Sequence, residues 1–257
     1  MNTILILVLI LYLLLPLGTV LVYSLFDNWT GILPHGFTTA AYQTLFQEPV
    51  FRKALGETLL LCIVPILVTT LVMLLALFVV LVYYPRLEKY VQIICMIPYT
   101  IQGIILSVSI LSLYNNAEGI LGNRILMLMG AYCVIILPYI YQGIRNGMRS
   151  IRMTTLLEAA ELLGSTRLSA FFRIVVPNIL SGVTVSALLS VGILFGDYVL
   201  IRNIAGSKVT NLQMYLYQSM KSDSMKSSAV FVVIMAITFL ISAVVLLLQK
   251  KEKKNRG

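Results

Sequence analysis

The sequence predicts an all-α, polytopic membrane protein with six transmembrane helices and a helix-turn-helix loop on the cytoplasmic side. Three observations carry that expectation. Hydrophobic residues make up 59% of the 257 and charged residues only 11%, with a mean hydropathy of +0.95, whereas a soluble domain carries about 25% charged residues. Six apolar runs approach or exceed the length that crosses a hydrocarbon core of about 30 Å, which takes about 20 residues in a helix. One inner segment, residues 145–177, is too polar and too regularly patterned to be a plain connector.

The runs are Ile4 to Leu25, Thr58 to Tyr84, Val91 to Tyr114, Ile125 to Gly143, Ile179 to Ile201 and Ala229 to Leu248. The first lacks a preceding basic residue and a small-x-small pattern before Asp27 and exceeds a signal core in length, so it reads as a retained span. Pro16, Pro65, Pro98 and Pro138 lie inside runs, where each removes a backbone donor and tends to kink its helix. Either these are packing irregularities, or Pro98 and Pro138 bend the third and fourth helices around a pathway. In the second case the neighbouring Tyr99, Gln102, Tyr139 and Gln142 have a water-filled cavity to face. Asp197 is the only formal charge within a run. Two readings stay open for it: a hydrated position near the outer end, paired with Arg202, or a place beside Tyr198 on the path of a cationic substrate.

The remaining polar residues carry less. Cys62, Cys95 and Cys133 all fall in apolar runs and behave as small hydrophobes, with no disulfide or metal spacing. His35, the sole histidine, has no metal-ligating neighbour, and Glu57 reads as interfacial. Trp29 reads as an interfacial anchor. No catalytic constellation, metal site or cofactor is expected.

Orientation follows from the basic residues. With both termini cytoplasmic, twelve Lys and Arg fall inside, among them Arg86, Lys89, Arg145, Arg149, Arg152, Arg167, Arg173 and the tail Lys250 to Arg256, against seven outside. The net charge of +9 then marks topology and contact with anionic lipid rather than nucleic acid. No loop is long enough to hold a core of its own, so residues 1–257 read as a single transmembrane domain.

Within the inner segment, Thr155 followed by Glu158 has the spacing of a capping box and predicts a helix start at Thr155. Leu156, Leu157, Ala160 and Leu163 recur at helical spacing before Gly164, a residue able to take positive φ at the helix end. Ser165 or Thr166 can cap a second helix, striped by Leu168, Phe171, Phe172 and Val175 and ended by Pro177.

Glu158-Ala159-Ala160, Gly164, Ile174, Val176 and Pro177 resemble the coupling loop of permease subunits of binding-protein-dependent ABC importers, with valine in place of leucine at Val176. The similarity runs from about Phe37 to the last span, in the group that serves polyamines, iron, thiamine and aminoethylphosphonate. It includes Pro49 to Leu55, Ile97-Pro98, Leu137-Pro138-Tyr139 and Gly196-Asp197-Tyr198. The chain departs from that group at Glu57-Thr58 and at Gln102.

The resemblance implies the type I importer fold in a bacterial cytoplasmic membrane. It implies partnership with two ATPase subunits, a second permease subunit (the same chain or a different one) and an external solute-binding protein. It implies that Thr155, Leu156, Leu157, Glu158, Ala159, Ala160, Gly164, Ile174 and Pro177 couple to the ATPase, with Leu156, Leu157 and Ala160 buried in the ATPase groove. Glu158 has two roles open, a contact with a basic residue of the ATPase or the capping of its own helix. The outer segments Ala40 to Leu55 and Ala205 to Met225 are expected to receive the binding protein. No GxxxxGK[ST] loop occurs, so energy has to come from a partner. Among substrates, polyamines come first, with aminoethylphosphonate, iron and thiamine behind. The alternative class is an ion-coupled secondary transporter using Asp197 or Glu57.

Overall fold

The computed structural model describes residues 2–28, 35–114, 116–206 and 208–256; Trp29 lies outside them. Its contacts divide the chain into two compact units, residues 1–58 with 210–240 and residues 59–209 with 241–257.

The first unit opens with α1 (Asn2–Tyr23), whose side chains from Leu5 to Leu15 are all exposed, as suits a helix surrounded by lipid or by another chain. Two short antiparallel strands follow, β1 (Phe26–Asn28) and β2 (His35–Phe37), with Phe26 opposite Phe37. They are a small addition to the all-α expectation. After α2 (Ala40–Gln47) comes the start of α3 (Pro49–Tyr83), where Leu45, Phe51 and Ala54 are fully buried. Residues 210–240 hold α10 (Leu212–Ser219) and the first part of α11 (Ser224–Arg256). Thr58 Oγ1 accepts from Leu212 N–H at 2.9 Å, and Glu57 Oε2 accepts from Thr210 N–H at 2.8 Å, which anchors the start of α10 to α3. Glu48 Oε2 receives Tyr215 Oη at 2.7 Å and Lys226 Nζ at 2.6 Å, binding three elements at one carboxylate.

The second unit holds the rest of α3, α4 (Glu88–Met96), α5 (Gly103–Tyr114), α6 (Arg124–Ser150), α7 (Met153–Leu162), α8 (Arg167–Ala170) and α9 (Val176–Phe195). Among the described residues five helices are long and apolar enough to cross a membrane, and α4 with α5 adds a sixth only as a pair bent by 102°. The third run is therefore broken rather than continuous. The cause is local: a 3-10 turn at Ile97–Thr100 contains Pro98, Ile101 is extended (φ −95°, ψ 113°), and α5 restarts at Gly103. The fourth helix behaves differently, since α6 runs unbroken through Pro138.

The fifth run also differs from expectation at both ends. Pro177 does not end the preceding helix; Arg167–Phe195 is continuous because a π-turn at Phe171–Val175 precedes the proline and absorbs its missing donor. At the other end α9 stops at Phe195, and Asp197 sits in the break before a second π-turn, Ile201–Ala205.

The pairing of α6 with α9 is built from small residues. A Cβ at Gly147 would lie 3.0 Å from Ile179 Cβ, one at Gly182 would lie 3.3 Å from Gly143 O, and one at Gly143 would overlap Ser186 Oγ. Gly143-x-x-x-Gly147 thus lets two backbones approach closely, the common device for joining helices where no hydrophobic effect drives association.

Candidate functional site: the α7–α8 turn and the break in the third helix

Leu163 closes α7, and Gly164 takes φ +82°. Gly164 N–H donates to Glu161 O at 2.9 Å and Ser165 N–H to Ala160 O at 2.9 Å, the two bonds of a Schellman ending. Thr166 then caps α8 by accepting from Ser169 N–H at 3.3 Å. Arg167 reaches back across the turn to Glu161, Nε to Oε1 at 2.5 Å and Nη2 to Oε2 at 3.0 Å. The Arg167 guanidinium holds the Glu161 carboxyl below its usual range. Two helices and their turn are thereby fixed as one piece.

The capping box is not formed. α7 begins at Met153, two residues before Thr155, and its N-cap position is Arg152 in the left-handed region (φ 49°, ψ 57°) with no side-chain cap. Thr155 lies inside the first turn, so it cannot serve as the cap, and Glu158 loses its proposed reciprocal partner. A left-handed arginine is costly, on the order of 1 kcal/mol or more, and it turns the chain sharply out of α6 into α7.

The buried and exposed faces of α7 are also not those expected. Met153, Leu157 and Ala160 are each 4% exposed, packed inside this chain, and Leu156 is half-buried. Leu162 and Leu163, at 90% and 89%, project freely at the turn. Glu158, Ala159, Gly164 and Pro177 are exposed and Ile174 is half-buried. Helical spacing identified an apolar stripe but could not say which body it faces. The cue that was missed is the adjacent pair Leu162-Leu163 at the helix end, off the stripe that Met153, Leu157 and Ala160 complete.

A second group forms at the break in the third helix. Gln142 Nε2 donates to Tyr99 Oη at 3.3 Å and approaches Met96 Sδ at 3.6 Å, and the rings of Tyr99 and Tyr139 meet edge to face with centroids 5.0 Å apart. Three of the expected pathway residues therefore come together, on α6 and the 3-10 turn after α4. Gln102 lies in the break itself and is exposed.

Asp197 belongs to a different arrangement. Its Oδ2 accepts from Tyr132 Oη at 2.9 Å and from Ile201 N–H at 3.3 Å, and its Oδ1 from Leu200 N–H at 3.3 Å. Tyr132 is buried on α6. The carboxylate thus caps the helical segment beyond the break and ties it to α6, with Tyr198 beside it half-buried. Nearby in the same unit, Asn203 Nδ2 donates to Ser107 Oγ at 2.8 Å and fastens the second π-turn to α5.

Helices long and apolar enough to cross a membrane, joined to a rigid turn, define a multi-pass membrane protein. The chain belongs to the family of binding-protein-dependent transport system inner membrane components, whose model matches residues 87–253. It is a permease subunit of an ABC importer.

Two solved structures share its fold. A bacterial ABC transporter involved in the import of the acidic polysaccharide alginate matches with a TM-score of 0.64 and 16% identity, over 98% of this chain and 94% of that one. A bacterial alginate ABC transporter in complex with an alginate pentasaccharide-bound periplasmic protein matches with a TM-score of 0.66 and 15% identity, over 100% and 94%. No curated protein matches the chain. Family membership replaces the ion-coupled secondary transporter as the class of transport.

Proposed function

We propose that this permease forms half of a translocation pore and is driven through the α7–Gly164–α8 turn by a separate ATPase subunit. The observation that carries this reading is the exposed pair Leu162 and Leu163 on a turn locked by the Schellman bonds and the Glu161–Arg167 pair. A rigid apolar tip suits insertion into a groove, because little conformational freedom is left to lose on docking. Met153, Leu157 and Ala160 anchor α7 against the permease itself, so a displacement of the tip is passed on as a rigid-body movement. Thr155, Leu156, Glu158, Ala159, Ile174 and Pro177 then frame the docking element, Glu158 from an exposed position where its charge can meet a basic residue of the ATPase.

In the same reading two ATPase subunits serve two permease chains, identical or different, and both termini lie in the cytoplasm. An external solute-binding protein delivers cargo to the outer segments. The break at Tyr99 to Gln102, with Tyr139 and Gln142, contributes to the pathway, because non-helical backbone at membrane depth is tolerated where it lines a cavity or is buried in protein.

Co-expression with the ATPase subunit tests this. Leu162→Asp with Leu163→Asp should fold normally, since both side chains are about 90% exposed, yet lower the co-purified ATPase by at least about tenfold. Unchanged co-purification would sink the proposal.

The substrate we propose is a polyamine, supported by the sequence resemblance. Asp197 adds little to that choice now that Tyr132 and two backbone donors occupy its oxygens. Uptake of labelled spermidine by the assembled complex is the test. Uptake of aminoethylphosphonate, iron, thiamine or an acidic oligosaccharide instead would replace the polyamine.

A further inference from the structure

A cavity of about 470 Å³ lies where α3 and α6 end and α4 begins, and its wall includes neither the Gly164 turn nor the Tyr99 group. Its charged wall is Glu88, Arg145, Arg149 and Arg152. Glu88 is taken up chiefly by Arg145, whose Nε donates to Oε1 at 2.7 Å and whose side chain is only 13% exposed. Arg149 reaches the same oxygen at 3.4 Å while remaining 62% exposed. One carboxylate against three guanidiniums leaves the cavity with two positive charges in excess.

That excess lies at the ends of helices long and apolar enough to cross a membrane, the place where basic residues meet lipid headgroups. The remaining wall includes apolar Leu81, Pro85 and Met148, which suits a ligand with a charged head and a greasy continuation. Guanidiniums are suited to phosphate oxygens because their planar forks donate in pairs.

We propose that this cavity binds a phosphate-bearing anion, the phosphate group of an anionic phospholipid or free phosphate, through Arg149 and Arg152 with Arg145 held in place by Glu88. The first turn of α7, Met153 to Thr155, forms part of the same wall, so an occupant also steadies the start of the docking helix.

The test uses the full chain in phosphatidylcholine nanodiscs containing a minor fraction of phosphatidylglycerol, followed by native mass spectrometry. Wild type should retain phosphatidylglycerol about thirtyfold better than an Arg149→Gln/Arg152→Gln double variant, from two basic residues at a membrane surface. Arg173→Gln, which removes a charge outside the cavity wall, should behave as wild type. In a second arm, wild-type chain in pure phosphatidylcholine receives inorganic phosphate, and hydrogen exchange is read at Met153 to Leu157. Protection by phosphatidylglycerol alone assigns a lipid, and protection by phosphate alone assigns a soluble anion; both support the site. Equal retention by wild type and the double variant overturns it, as does an equal loss in Arg173→Gln. Unchanged exchange with both phosphatidylglycerol and phosphate overturns it too.

Discussion

Asp197 holds the end of its helix through Tyr132 and two backbone donors, so removing the phenol should be measurable. Tyr132→Phe keeps the packing and deletes one hydrogen bond to a carboxylate. It should destabilise the purified chain by about 1.5–3 kcal/mol in thermal or denaturant unfolding. Asp197→Asn separates support from passage: normal uptake by that variant would remove Asp197 from the pathway. At the docking turn, Gly164→Val forces a β-branched residue to φ +82°. Its strain, about 1–3 kcal/mol, should appear as weaker ATPase co-purification with the spans still folded. The glycine was legible in the sequence because a helix end needs a residue tolerant of positive φ, and Gly164 stands where the apolar spacing stops. The tie between Tyr132 and Asp197 was not, since the two lie 65 positions apart and only the packing of α6 brings them together.

Elements were legible where local rules decide them. The long apolar runs became α1, α3, α6, α9 and α11, and the Gly164–Thr166 turn became a Schellman ending with a threonine cap. They were not legible where two local solutions compete. A proline in a span can kink it, break it or be absorbed: Pro98 lies in a 102° break, α6 continues through Pro138, and a π-turn accommodates Pro177. The first turn of α7 shows the same competition, because a left-handed Arg152 displaced the start that Thr155 and Glu158 signalled. Gly143-x-x-x-Gly147 was an overlooked signal for the α6–α9 crossing. Gly147→Leu should push Ile179 outward and cost about 1–3 kcal/mol, read as a lower unfolding midpoint in lipid, whereas Gly130→Leu on the same helix, with open space around its Cβ position, should cost far less.

For the molecule as a whole, the first unit depends on a carboxylate at its edge. Lys226 hydrogen-bonds Glu48 and holds its pKa below the ordinary 4.5, with burial opposing and Tyr215 adding to the effect. A depressed folded pKa means that the stability is fully present above the unfolded value and is lost as pH falls through the folded one. The melting temperature of the purified permease should therefore drop as the pH falls below about 4.5, and Glu48→Gln should flatten that part of the profile. The second unit carries the docking turn, and its relation to an ATPase is the claim on which the mechanism stands. Photocross-linking in the assembled membrane complex tests it most directly, with a photoreactive amino acid placed at Leu163 in one sample and at Leu157 in another. Leu163 should give an adduct with the ATPase subunit and Leu157, 4% exposed inside the permease, should give only intrachain products. An ATPase adduct from Leu157 and none from Leu163 would contradict the proposed docking face.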